Sequence, residues 1–201
     1  MANTLRSDPE VWSKIDIAAS HQYDFQNHFT DPDTFDDQYK ALRAANGDKP
    51  FFSTEIAVNN VRLQSSSYRV AFNVGQLYHK NMTLLDSIGL GYCWLILDVE
   101  QPNFGATRSL LVPDRNHGDI PVASSYQLRV MGAYSRHLPE GMVRVDANSS
   151  NSDLLVTAYE GKENARTIIA TNRGTSPQML TVDWPGAVWR VCELRRPGLL
   201  N

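Results

Sequence analysis

Lys49-Pro50-Phe51-Phe52-Ser53-Thr54-Glu55-Ile56 reads as a buried strand that closes on an acid. Aromatic and β-branched side chains suit a pleated, half-buried surface. A carboxylate is the side chain least suited to continue such a run, because burying its charge without a partner is costly. Glu55 therefore has two readings. The plain one is a solvated acid at a strand end. The other is a chemical group carried to the C-terminal rim of a sheet, where repeated strand–helix folds build their sites.

Upstream of this strand, Asp8-Pro9-Glu10 sets a capping acid before Pro at the first helical position, ahead of Val11, Trp12 and Ile15. Residues 15–23 then read as a short strand. Asp31-Pro32 repeats the helix start, Phe35, Tyr39 and Leu42 fall on one helical face, and Gly47 is the stop. Downstream, a helix is expected from Ser65 or Ser66 through Tyr68, Phe72, Leu77, Met82 and Leu85, closing near Gly89. Residues 91–97 are apolar on both parities, as in a strand of a parallel sheet covered on both faces. A loop over 98–123 and a helix over 124–137, with Tyr126, Val130 and Tyr134 on one side, complete this region.

Beyond Pro139-Glu140-Gly141 the period changes from helical to two. Segments 142–147, 154–159, 166–171, 179–184 and 189–194 alternate and are punctuated by Gly, Asn, Ser and Pro, which points to an antiparallel sheet or half a sandwich. The expected division is residues 1–139 and 140–201.

Composition narrows the function classes. The chain has 201 residues, 42% of them apolar, which is globular usage. A net charge of −3 supplies no basic surface to follow a phosphate backbone, and no apolar run is long enough to span a bilayer. Neither nucleic acid nor membrane is an expected partner. The N-terminus lacks the basic and apolar regions of a secretory signal, so the compartment is left open. Cys93 and Cys192 are far apart and without a His cluster at ligand spacing; both read as buried thiols, and neither a metal nor a cofactor is implied.

A (β/α)8 barrel devotes about 31 residues to each strand–helix unit. Here 34 positions separate His21 from Glu55 and 39 separate Glu55 from Trp94. Residues 1–139 therefore read as three successive units of a TIM barrel, too few to close one. His21-Gln22-Tyr23, Phe52-Ser53-Thr54-Glu55 and Tyr92-Cys93-Trp94, in that order and spacing, resemble the last three barrel strands of the family 30 glycoside hydrolases. The stretch from Ser124-Ser125-Tyr126 through Met131-Gly132-Ala133-Tyr134 to Pro139-Glu140-Gly141 is similar to the family's last barrel helix running into its β-sandwich. Leu154-Leu155-Val156-Thr157-Ala158-Tyr159 and Ile168-Ile169-Ala170-Thr171-Asn172 resemble the sandwich strands that follow. The sequence departs from the family at Phe52, where relatives often carry Trp.

The resemblance implies the C-terminal part of a retaining glycosidase acting on O-glycosidic bonds, which uses two carboxyl groups about 5 to 5.5 Å apart. Glu55 takes the place of the nucleophile. His21 and Tyr23 share a strand face and are expected to contact a carbohydrate substrate, and Trp94 offers a platform for the C–H face of a sugar. The family's acid/base Glu lies on an earlier strand than any read here, so the isolated chain is expected to be inert. Each residue also has a plainer use: His21 and Trp94 in packing, Asn59 and Asn60 in a turn, Asp98 and Glu100 as a solvated rim. Two further readings stand beside the enzyme. One is a non-catalytic carbohydrate-binding or scaffold protein. The other is a half-barrel subunit that works as a homo-oligomer through its open sheet edges.

Overall fold

The computed structural model describes residues 2–22, 31–56, 68–96, 110–113 and 122–186. They divide into two compact units, Met1–Leu128 and Arg129–Asn201. The first is built on a three-stranded parallel sheet, β1 (Ala18–His21), β2 (Phe51–Ile56) and β3 (Ser87–Tyr92), in that spatial order. Parallel neighbours need a long crossover. Helix α3 (Asp36–Asn46) lies between β1 and β2 in the chain, and α4 (Tyr68–Thr83) lies between β2 and β3. Tyr39 of α3, Phe51 of β2 and Leu85 form a buried cluster, with Ala18, Leu42 and Leu84 packed against it.

The start signal at Asp8 holds: Asp8 Oδ1 accepts from the amides of Glu10 and Val11, and Pro9 opens α2 (Pro9–Ser13). A helix that the sequence pattern did not reveal, α1 (Ala2–Arg6), precedes it. Both are pinned to the end of α3, where the Arg6 guanidinium donates to Ala44 O and the Trp12 indole donates to Asp48 Oδ1. Gly47 ends α3 at φ +61°, as its position suggested.

Several boundaries differ from expectation. The strand expected at 15–23 is confined to Ala18–His21. Helix α3 begins at Asp36 rather than beside Asp31, whose carboxylate instead accepts from the Asp33 amide and holds a turn. Helix α4 stops at Thr83, short of Gly89, because Asp86 turns the chain at φ +56° into a strand that starts at Ser87. Hence β3 ends at Tyr92 and shares only Gly91 and Tyr92 with the strand expected over 91–97. Nor is it covered on both faces: Ile88 is 61% exposed and Leu95, beyond its end, 58%. Among the described residues β3 pairs with β2 alone, and of the apolar positions that read as doubly buried Leu95 and Ile96 are exposed. Within the span read as loop, β4 (Leu111–Pro113) and β5 (Val122–Ser124) pair antiparallel. Helix α5 (Tyr126–Ser135) follows, with Ser125 Oγ accepting from the Leu128 amide at its start.

The second unit holds β6 (Val143–Val145), β7 (Leu154–Glu160) and β8 (Arg166–Asn172) in one antiparallel meander. The strand expected over 179–184 does not form. Its residues alternate, but a strand needs a ladder, and this segment is held by side chains instead. Asn151 Nδ2 donates to Gln178 Oε1, and the Arg166 guanidinium lies over the Trp184 ring at 4.9 Å. The strand expected over 189–194 lies outside the described residues, which contain one sheet here rather than a stacked pair.

A buried polar network ties the first unit together. Gln22 Nε2 donates to Ser53 Oγ (2.5 Å) and to Asn81 Oδ1 (2.7 Å), and Ser53 donates to the same Asn81 oxygen (2.6 Å). The Tyr39 hydroxyl donates to Gln22 Oε1 (3.1 Å), while Asn81 Nδ2 donates to Gln22 Oε1 and to Leu77 O. All four side chains are at most 2% exposed. Burial pushes the Tyr39 phenol far up from its usual range, so it stays a neutral donor. Close by, the ammonium of Lys80, itself 5% exposed, reaches Asp33 Oδ1 at 2.7 Å and also contacts Asp36.

Replacing Asn81 with Leu leaves one Gln22 amide proton and the Ser53 hydroxyl proton without an acceptor in the interior. Each unsatisfied buried group costs about 1–3 kcal/mol, so urea unfolding of Asn81→Leu is expected to lose about 2–4 kcal/mol with little change in slope.

Candidate active site

Neighbouring strand ends bring together two of the side chains that the sequence singled out. His21 closes β1 and Glu55 is the penultimate residue of β2. In the ladder Ser20 pairs with Ser53, and the next pair is His21 with Glu55, so β2 carries one extra residue, Thr54. His21 Nδ1 lies 3.0 Å from Glu55 Oε2. The Gln22 amide donates to Glu55 O at 2.9 Å and fixes the backbone beneath the contact. The His21 side chain is 57% exposed and that of Glu55 25%, so the carboxylate is sheltered yet open to solvent. An imidazole N–H aimed at one carboxylate oxygen restricts the rotation of that carboxylate.

Trp94 lies at the same end of the sheet. Ile56 pairs with Tyr92, and the Cys93 amide donates to Ile56 O, so the chain leaves β3 beside the exit of β2. The Cys93–Trp94 peptide is cis, and Trp94 is half-buried. Trp94 O accepts from the Leu110 amide, which joins this exit to the segment leading into β4. Residues His21, Glu55 and Trp94 thus stand at the C-terminal ends of three adjacent parallel strands, the side of such sheets where ligands bind.

Tyr23, Asn59, Asn60, Asp98 and Glu100 lie outside the described residues, as does Cys192. Cys93, read as a buried thiol, is half-exposed. Among the described residues no group of three His, Cys, Asp or Glu side chains is placed to hold a metal ion, and no helix is long and apolar enough to cross a membrane. A cavity of about 550 Å³ lies in the second unit, between residues 179–184 and the face of the sheet carrying Val156, Ala158 and Ile168, and none of the candidate residues lines it.

Gln22, Ser53 and Asn81, which with Tyr39 hold the floor of this site, were not singled out from the sequence. Two of them left a trace. Gln22 sits between His21 and Tyr23, so alternation sends it to the opposite face. Ser53 is a lone hydroxyl in an aromatic run, which asks for a partner. Asn81, 28 positions away on a helix, left no trace that a one-dimensional pattern reads.

No protein-family model matches the sequence, and no curated protein is detectably related to it. Solved structures do share the fold. SrfJ from Salmonella typhimurium is similar at a TM-score of 0.68 and 18% identity, over 86% of this chain and 37% of its own. A GH30 endoxylanase from Clostridium papyrosolvens is similar at 0.57 and 21%, over 88% and 38%. The catalytic domain of GH30 xylanase C from Talaromyces cellulolyticus is similar at 0.58 and 16%, over 83% and 34%. This chain therefore spans less than two-fifths of the length of each and shares the mixed α/β fold of part of them.

A partly exposed pair of this kind contributes little to folding. Glu55→Gln and His21→Ala are each expected to stay within about 1 kcal/mol of the parent in chemical unfolding, in contrast to Asn81→Leu.

Proposed function

We propose that this chain is the C-terminal portion of a family 30 retaining O-glycoside hydrolase, with Glu55 as its nucleophile. The contact between His21 and Glu55 at the C-terminal ends of adjacent parallel strands carries the reading. In this chemistry one carboxylate attacks the anomeric carbon while a second carboxyl protonates the departing oxygen. Glu55 Oε2 is held by His21 Nδ1, which orients the carboxylate for attack. Its shelter removes part of the water shell that would blunt a carboxylate in bulk solvent. Trp94 supplies an apolar surface for the sugar ring, and Tyr23, two residues beyond His21, joins it in holding a hydroxyl. The acid/base carboxyl belongs to an earlier strand of a complete barrel, so this portion alone lacks one half of the reaction. Residues 1–139 are assigned to the barrel and 140–201 to a β-sandwich portion, and the partner is a carbohydrate.

A second reading draws on the sheet edges. Among the described residues β1 and β3 each pair only with β2, and open edges of parallel strands invite further pairing. Association of two copies through them makes a dimer that light scattering after size exclusion detects.

Purified protein of this sequence is expected not to hydrolyse 4-nitrophenyl glycosides. Joined to five preceding strand–helix units with a carboxyl on the fourth strand, it is expected to hydrolyse them, and Glu55→Gln to lower kcat by about 10³-fold or more. Turnover by the chain alone that Glu55→Gln abolishes overturns the expectation of inertness. Turnover in the completed barrel that survives Glu55→Gln overturns the nucleophile assignment.

A further inference from the structure

Strand β2 changes parity at the point where its carboxylate appears. Ser53 faces the helices and is fully buried, and Ile56 is buried as well. In an unbroken strand Glu55 would share the face of Ser53, since side chains repeat every two residues. The burial sequence of β2 is instead buried, exposed, buried, exposed, half-buried, buried, with Thr54 and Glu55 both turned from the helices. The extra residue appears against both neighbours. From Ser53 to Glu55 the partners on β1 advance one residue, Ser20 to His21; from Ser53 to Ile56 the partners on β3 advance two, Leu90 to Tyr92. This is a β-bulge, a device that re-aims a side chain at the cost of local ladder pairing.

A bulge needs room. Opposite it on β3 stands Gly91, and a Cβ built there lies 2.5 Å from Thr54 O and 3.3 Å from Thr54 C. Those are backbone atoms and cannot rotate away as a side chain would. Ordinary contact between such atoms is about 3.5 Å, so any other residue pushes the bulge or the strand by about 1 Å. The far flank is fixed, because Ser53 is tied to Gln22 and Asn81 and the Gln22 amide is tied to Glu55 O. The displacement then falls on Thr54 and Glu55.

We infer that Gly91 is a positioning residue for Glu55: its missing side chain admits the bulge that turns the carboxylate from the helix side of the sheet to its open end against His21. The catalytic purpose of that placement rests on the reading of Glu55 as nucleophile, whereas the geometry does not. A misplacement of about 1 Å costs a positioned reaction on the order of 10²-fold in rate.

The test reads the ring nitrogens of His21 by long-range ¹H–¹⁵N correlation on the full chain, assigned by loss of the signal in His21→Ala. Glu55→Gln defines the pattern without the carboxylate. Gly91→Ala is expected to move the His21 nitrogens to that pattern while its circular dichroism stays that of the parent. Gly132→Ala, a helical position with open space around it, is expected to leave them unmoved. A folded Gly91→Ala chain with the parent pattern overturns the inference. If Gly91→Ala fails to fold, nuclear Overhauser contacts in the parent decide: His21 opposite Glu55 supports the bulge, and His21 opposite Thr54 overturns it. None of these readouts involves sugar or turnover. Hydrolysis by a completed barrel that survives Glu55→Gln discards the catalytic reading and leaves the Gly91 result standing.

Discussion

Four polar side chains from four segments share one buried hydrogen-bond network: Gln22 just past β1, Tyr39 on α3, Ser53 on β2 and Asn81 on α4. Each gives up water to enter the interior and is compensated by bonds to at least two of the others. Placed at the junction of two crossovers, the network accepts one register between β1 and β2 and one docking of each helix. Slipping β1 by a single residue would send Gln22 to the solvent face and leave Ser53 and Asn81 with one partner fewer. Apolar contacts around Tyr39, Phe51 and Leu85 supply much of the burial, but such contacts tolerate sliding. Directional bonds do not, and they sit one residue away from His21 and two from Glu55.

The two faces of the sheet are thereby given different jobs. Toward the helices, strand residues are locked by bonds and packing. Away from them, His21, Thr54 and Phe52 meet solvent, and Glu55 is only partly covered. The Phe52 ring lies over Gly89, in contact with the position a side chain there would take, so it closes part of the gap between β2 and β3 on the open side. A Trp at this place is larger and would meet the same neighbour. The difference bears on the shape of the surface beside Glu55 and not on the carboxylate itself.

The parts of this fold that were legible in the sequence are those written in local chemistry. Asp8 with Pro9 marks a helix start, Gly47 marks a stop, and Phe51 through Ile56 marks a strand, because each rests on a backbone preference or a short period. The spacing of His21, Glu55 and Trp94 placed all three at strand exits. What could not be read depends on tertiary partners. The end of α4 was set by a turn at Asp86, a residue without a strong breaker signal. The period-two segment over 179–184 had the alternation of a strand but no ladder to join. The bulge at Thr54 was invisible for the same reason, since it exists only relative to β1 and β3. No sequence pattern marks Asn81, and only the folded chain shows it buried against Ser53.

The network closes within a short stretch of chain: its side chains come from residues 22–81, and the contact it supports requires only the ends of β1 and β2. Gly91 adds one more position, ten residues on. The contacts with Glu55 described above are thus local to two consecutive strand–helix units and the strand after them. A block of this kind is portable. Exchange of a segment with breakpoints before Ala18 and after Trp94 would carry these contacts together into a new surrounding. The strands contributed by the host would then set which molecule it meets.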